Sequence, residues 1–335
     1  MAYTFPEMGV GTMSWVPRNS EEEKEYYKTY LYCLDHGVNF FDTAEVYGNG
    51  KSEALLGKFI RRDGRSVRIS SKFAPPSGMN PTAPKRKYVS TGSPEALTEA
   101  LNGTLSRLGL KSLDLYLMHT PPKSGNISDY MDVMAWEMRR GRVKAAGVCN
   151  FNAKQIEVAA QALERRGLQL SAAMVGYNLL RRYPETNGVM DVCREHGITL
   201  IPYAPLAEGV LTGKYRNGGK VPLKYYVTSY FGHLDITKER NDSVPLARRV
   251  FSKPRECDVK KMEPLMEILD EVAQAHGKTI AQVSLNWLAT NPDVNVFPIP
   301  GMRSVKQAKS NLGAVGWSIT EEERRMIDRA EKSCR

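Results

Sequence analysis

The chain reads as a single (β/α)8 barrel, and three observations predict it. Short β-branched or aromatic runs alternate with longer helix-patterned stretches through the 335 residues, an order that builds a parallel sheet covered by helices. The β-rich runs number eight, as a closed parallel barrel requires, and single barrels reach this length. The rival is a doubly wound sheet, which usually announces itself with Gly-x-Gly-x-x-Gly after its first strand. Here Gly9-Val10-Gly11-Thr12-Met13-Ser14 lacks the third glycine and opens no helix.

In order, the expected strands are Met8–Met13, Val38–Asp42, Val67–Lys72, Leu113–Met118, Val143–Val148, Ala172–Tyr177, Thr199–Pro202 and Val294–Pro298. Helical stretches fall near 20–36, 51–62, 93–108, 128–140, 152–166, 184–196, 262–276 and 303–312. Ser93-Pro94-Glu95-Ala96 reads as a helix start, with serine before proline and an acid in the first turn. Thr320-Glu321-Glu322-Glu323 fits a capping box for a last helix. Gly37, Gly109, Gly141, Gly167 and Gly197 each follow a helical stretch, where a C-terminal glycine is common. Residues 215–261 break the rhythm with Tyr225, Tyr226, Tyr230, Phe231 and His233 among Lys, Arg, Pro and Gly. A connection this long inside a compact domain is usually functional or disordered. It reads as a long loop before the seventh barrel helix, covering substrate and cofactor.

The bulk properties exclude several classes. Hydrophobic residues make up 41% and charged residues 25%, ordinary for a soluble globular chain. No apolar stretch approaches the roughly 20 residues that span a bilayer. The start, Met1-Ala2-Tyr3-Thr4-Phe5-Pro6, has no basic region followed by an apolar core. The expected compartment is the cytoplasm, or a plastid if a transit peptide has been removed. Cysteines 33, 149, 193, 257 and 334 are odd in number and lack metal-ligand spacing, so a reduced protein without a metal site is expected. Cys149, at a strand end, reads as a packed thiol. The net charge of +10 suits an anionic ligand such as a phosphorylated cofactor. Its densest cluster, Lys85-Arg86-Lys87, has no aromatic interleaving, which argues against nucleic acid. Gly50-Lys51-Ser52 resembles the end of a phosphate-binding loop, but Glu45 stands where the first glycine belongs.

Chemistry is signalled by four polar residues at or just past predicted strand ends: Asp42 and Tyr47, then Lys72, then His119. Singly, such residues usually serve packing, solvation or a local hydrogen bond. Together on successive barrel strands they converge on the face where active sites form. A phenol, with a pKa of about 10, is made a better proton donor by a nearby ammonium. Lys72 would lower the pKa of Tyr47, Asp42 would keep Lys72 charged, and His119 would orient a carbonyl oxygen. Trp15, Tyr88 and Tyr230 are the aromatic candidates for a substrate pocket.

These residues lie in segments that resemble the aldo-keto reductase superfamily over nearly the whole chain. The segments are Gly37 to Gly48 (GVNFFDTAEVYG), Ser71-Lys72-Phe73, Leu113 to His119 (LDLYLMH), Gly147 to Phe151 (GVCNF), Tyr203 to Tyr215 (YAPLAEGVLTGKY) and Pro298 to Arg303 (PIPGMR). The details, including Gly316-Trp317-Ser318-Ile319-Thr320, are most similar to plant-type members. The resemblance implies reduction of an aldehyde or ketone with NADPH on a barrel, and a monomer or weak homo-oligomer. It makes Asp42, Tyr47, Lys72 and His119 the catalytic tetrad, with Tyr47 as general acid. It assigns Asn150 to the nicotinamide carboxamide, Tyr203 to stacking on the ring, and Leu206, Gly209, Leu211 and Lys214 to the pyrophosphate loop. Gly301, Arg303, Gln307 and Asn311 fall on the adenosine side. Arg303, an always-charged guanidinium at an expected helix start, would favour the 2′-phosphate of NADPH. Three positions depart from the family pattern: Cys149 for a serine, Met174 for a carboxamide-binding glutamine, and Ser310 for an acid. They bear on cofactor affinity. Potassium-channel beta subunits also resemble this family, so a cofactor-binding regulatory subunit is the alternative.

Overall fold

A computed structural model describes residues 3–75, 94–122, 125–216 and 262–334. Seven parallel strands follow one another in sequence order: β1 (Val10–Gly11), β2 (Phe40–Asp42), β3 (Arg68–Phe73), β4 (Leu115–Met118), β5 (Ala146–Cys149), β6 (Leu170–Gly176) and β7 (Thr199–Tyr203). Between and after them run α1 (Ser20–Asp35), α2 (Lys51–Asp63), α3 (Ala96–Leu108), α4 (Ile127–Arg139), α5 (Ala153–Glu164), α6 (Val189–Glu195), α7 (Glu263–Ala275), α8 (Ile280–Ala289), α9 (Val305–Leu312) and α10 (Glu321–Ser333).

Residues 295–301 join the two edges of the sheet. On one side Leu200 N–H donates to Asn295 O at 2.8 Å, and Phe297 N–H donates to Leu200 O at 2.9 Å. On the other, Gly9 and Gly11 donate to Pro298 O and Pro300 O, each at 3.0 Å. The eighth strand expected at Val294–Pro298 is therefore present as isolated bridges rather than as a regular ladder. Pro298 and Pro300 lack the N–H groups a ladder would need. The curled parallel sheet with helices outside is consistent with a (β/α)8 barrel.

Side chains alternate in and out along each strand. The inward set is Phe40, Leu115, Leu117, Ala145, Cys149, Ala172, Met174, Ile201, Phe297 and Ile299, which pack into one interior cluster. The outward set, including Phe41, Ile69, Phe73, Tyr116, Met118, Val148 and Ala173, packs under the helices. Helix ends follow their caps. Asn152 with Gln155 and Thr320 with Glu323 form reciprocal capping boxes, and Gly109 closes α3 at φ 71°, a conformation that glycine adopts without a Cβ clash.

Some expectations need correction. The first strand is two residues long, not six. The helix expected at 184–196 is a 3₁₀ turn, Tyr183–Glu185, followed by α6, because Gly188 stands at φ 83° between them. Helix α8 was not expected. Eight of its ten residues are buried, so it shows no amphipathic period. The long loop expected at 215–261 lies outside the described residues from 217 onward, as does Ser93 of the expected third-helix cap.

Candidate active site

The alternation of the strands brings the four expected polar residues together. In β2, Asp42 shares the inward face with Phe40; in β3, Ser70 and Lys72 share it; past β4, His119 continues Leu115 and Leu117. The ladders pair Asp42 with Ser70 and Lys72 with Leu117, so the three polar residues reach the C-terminal end of the sheet together. Tyr47 arrives from the turn between β2 and α2, where Tyr47 N–H donates to Ala44 O at 3.0 Å.

Lys72, with no exposed surface, donates to Asp42 Oδ2 at 2.6 Å, to Thr43 O at 2.8 Å and to Tyr47 Oη at 3.3 Å. The second carboxylate oxygen of Asp42 accepts from the Ser70 hydroxyl at 2.8 Å. The Tyr47 and His119 rings meet edge to face with centroids 6.0 Å apart. Burial works against the Lys72 ammonium, but Asp42, then Tyr47, outweighs it, and the amine is held charged above its ordinary pKa. Burial pushes the Tyr47 phenol up to about 12, against the pull of Lys72. The expected lowering by Lys72 is thus present but outweighed. Tyr47 is only half-buried, which tempers the upward push. Burial, reinforced by Lys72, takes the His119 imidazole down to about 3, so it is neutral at pH 7. Its Nδ1 is buried without a partner among the described residues.

A second chain of bonds crosses the mouth. Asn150 donates to His119 O at 3.0 Å and to Cys149 Sγ at 3.2 Å, and accepts from Tyr203 Oη at 3.0 Å. Asn150 stands at φ 62° and Ala204 at φ 51°, left-handed values that asparagine tolerates but that are uncommon for alanine and often gather at functional sites. Tyr47, His119, Asn150 and Tyr203 are half-buried, whereas Asp42, Lys72, Cys149 and Met174 are buried beneath them. The first four are therefore the side chains a ligand at the mouth would meet. Burial lifts the Cys149 thiol to about 12, in keeping with a packed thiol.

The remaining expected residues are spread over two elements and beyond. Leu206, Gly209 and Lys214 lie on or beside the 3₁₀ turn Ala207–Thr212, where Ala207, Glu208 and Gly209 all have positive φ. A Cβ on Gly209 would come 2.5 Å from Lys214 Nζ, so the lysine folds back across this glycine. Leu211 lies on the same turn, with its side chain buried and its N–H donating to Leu206 O at 3.2 Å. Gly301, Arg303 and Gln307 are exposed at the start of α9, with Arg303 N–H donating to Gln307 Oε1 at 2.7 Å, while Asn311 is buried. Trp15 is corrected. It has no exposed surface, donates from Nε1 to Met302 O at 2.7 Å and stacks on Tyr26 at 5.8 Å, so it is core. Tyr88 and Tyr230 lie outside the described residues.

Three contributors were not anticipated. Ser70 and Thr43 hold the Asp42–Lys72 pair, and Ser70, two residues before Lys72, was legible from strand alternation. Buried Glu45 accepts from Ala74 N–H at 2.8 Å and ties the end of β3 to the Tyr47 turn. No group of three or more metal-binding side chains occurs among the described residues.

With this geometry the Aldo/keto reductase family model matches residues 7–332. The chain belongs to the aldo/keto reductase family. It is 30% identical over 345 residues to the chloroplastic pyridoxal reductase of Arabidopsis thaliana, covering 97% of this chain and 83% of that protein. It is also 30% identical over 318 residues to a probable voltage-gated potassium channel subunit beta of Arabidopsis thaliana, covering 91% and 88%. Among solved structures, a thermostable aldo-keto reductase in complex with the inhibitor epalrestat aligns with a TM-score of 0.68 at 25% identity, covering 97% and 95%. In this aldo/keto reductase chain no helix of the described residues is long and apolar enough to cross a membrane.

Proposed function

We propose that this chain is an NADPH-dependent carbonyl reductase in which Tyr47 gives the proton to the carbonyl oxygen. The observation that carries the reading is the chain Tyr47–Lys72–Asp42, at 3.3 and 2.6 Å, with the phenol half-open to the mouth and the pair beneath it sealed. When bound, NADPH supplies the hydride. The protein supplies the rest. Lys72, kept cationic by Asp42, favours the phenolate left behind by proton transfer. Neutral His119 is free to hydrogen-bond the carbonyl oxygen without adding charge. The burial of Lys72 and Asp42 strengthens these fixed interactions.

The donor set fits a nicotinamide nucleotide. Asn150 offers an amide beside the Tyr203 phenol, Lys214 folds over the turn after β7, and exposed Arg303 at the N-terminus of α9 suits a phosphate. Such a phosphate selects NADPH over NADH. Buried Met174 and Cys149 offer no amide or hydroxyl there. One barrel domain spans the chain, its ligand is a small-molecule aldehyde or ketone, and it works as a monomer or weak homo-oligomer in the cytoplasm or a plastid.

The channel-subunit relative supports a second reading, in which the tetrad serves a cofactor-binding regulatory subunit. Turnover separates the two. The reductase reading expects NADPH absorbance to fall with members of an aldehyde and ketone panel. Tight NADPH binding with no oxidation by any of them would leave the regulatory reading standing.

A further inference from the structure

Two adjacent arginines follow β6 and differ in one respect. Arg182 is fully paired: it bonds Glu185 at 2.8 Å and Asp328 at 2.7 Å and lies 4.9 Å over the Trp287 ring. Arg181 is only 8% exposed, yet its guanidinium makes no hydrogen bond and no ion pair with any described residue, and its Nε is buried without a partner. Leaving a buried cation uncompensated is costly. The fold nonetheless seats it. Arg181 and Asn178 exchange backbone hydrogen bonds at 2.9 and 3.1 Å, and Asn178 Nδ2 donates to Ala204 O at 2.9 Å, tying this turn to the residue after Tyr203. Gly176, which ends β6 on the inward face beside Tyr203, leaves the space that the guanidinium occupies. A Cβ there would come 2.9 Å from Arg181 Nη1 and 3.2 Å from Tyr203 Cε2. Arg181 therefore lies beside Tyr203, whose hydroxyl donates to Asn150 Oδ1 at 3.0 Å.

We propose that Arg181 is an anion-binding residue of this site, taking a phosphate or carboxylate oxygen of the bound ligand. The proposal rests on the reductase reading and adds a recognition group to it. The chemistry is that of a guanidinium and an oxyanion. The oxyanion comes either from the cofactor's phosphates or from an acidic group on the carbonyl compound.

The test compares the full chain with Arg181→Met and Arg181→Lys. NADPH affinity is read from nucleotide fluorescence, and KM from para-carboxybenzaldehyde and para-methylbenzaldehyde. Loss of the charged contact should weaken one arm about tenfold, with partial recovery in the lysine variant. Weaker NADPH binding with both aldehydes affected alike identifies a cofactor phosphate. A raised KM for the carboxylated aldehyde alone identifies the substrate. Without ligand, Arg181→Met should melt above wild type, because an uncompensated buried charge is gone. If that variant fails to fold, Arg181→Gln, which removes the charge but keeps a polar side chain, is read in the same way. The proposal is overturned if NADPH affinity and the ratio of the two KM values both stay within about twofold of wild type. NADPH binding is measured without turnover, so this outcome is distinct from a failure of the reductase reading.

Discussion

Replacing Lys72 by Met should expose how the buried pair holds the site. The substitution keeps an unbranched chain but removes the ammonium that lies 2.6 Å from Asp42, in a place with no exposed surface. Asp42 would retain only the Ser70 hydroxyl as a side-chain donor. Breaking a buried pair from one side costs about 3–5 kcal/mol, because the remaining charge is uncompensated. For a chain of this length that lowers Tm by about 4–7 °C. Adding Asp42→Asn removes that charge, so the double variant should be more stable than Lys72→Met alone, with a coupling of about 2 kcal/mol. The assay is urea unfolding followed by tryptophan fluorescence, without cofactor, at pH 7. A lysine whose folded pKa is raised contributes stability in full below its unfolded value of about 10.4, and loses it as pH rises through the folded value. Lys72 is therefore charged at pH 7, while burial raises the Asp42 carboxyl against the pull of Lys72 and Ser70. Additive losses in the two single variants would refute the claim that these groups act as a unit.

Other outcomes follow from the same geometry. Since His119 is neutral and Tyr47 protonated at pH 7, kcat/KM for reduction should show no inflection near 6.5 and should fall only in alkaline solution. A step near 6.5 would mean that His119 titrates. Because the folded pKa of His119 is depressed to about 3, its contribution to stability is complete above about 6.5 and drains away as pH falls towards 3. Acid unfolding of a His119→Gln variant should consequently be shallower over that window. Arg303→Ala should raise KM for NADPH by about tenfold or more and leave KM for NADH nearly unchanged, since a charge-assisted phosphate contact is lost. Equal effects on both would remove Arg303 from 2′-phosphate recognition.

Much of the architecture was legible because strands carry a period of two. That period places Asp42, Lys72 and His119 on one face and sends Phe41, Ile69 and Met118 to the helices. Helix α8 was not legible, because a segment buried on all sides has no polar face to mark its period. Trp15 misled for a related reason. An aromatic near a strand end serves a pocket or the core equally well in sequence, and only its bond to Met302, nearly 300 residues away, decides for the core. The pull of Lys72 on the Tyr47 phenol was legible in the sequence, whereas the desolvation that outweighs it was not, because it depends on what the fold packs around the ring. Arg181 was hidden in an Arg-Arg pair that reads as a solvated surface. Gly176, at the inward position two residues past Met174 and beside Tyr203, was the available signal.

The central claim is that Tyr47 donates the proton. Tyr47→Phe removes one hydroxyl while keeping the ring against His119 and above Lys72. Single-turnover reduction of an aldehyde, with NADPH fluorescence recorded before mixing, tests it most directly. Unchanged NADPH binding with a rate reduced by about 10² or more is the predicted result. Reduction by the phenylalanine variant at a rate near wild type would contradict it.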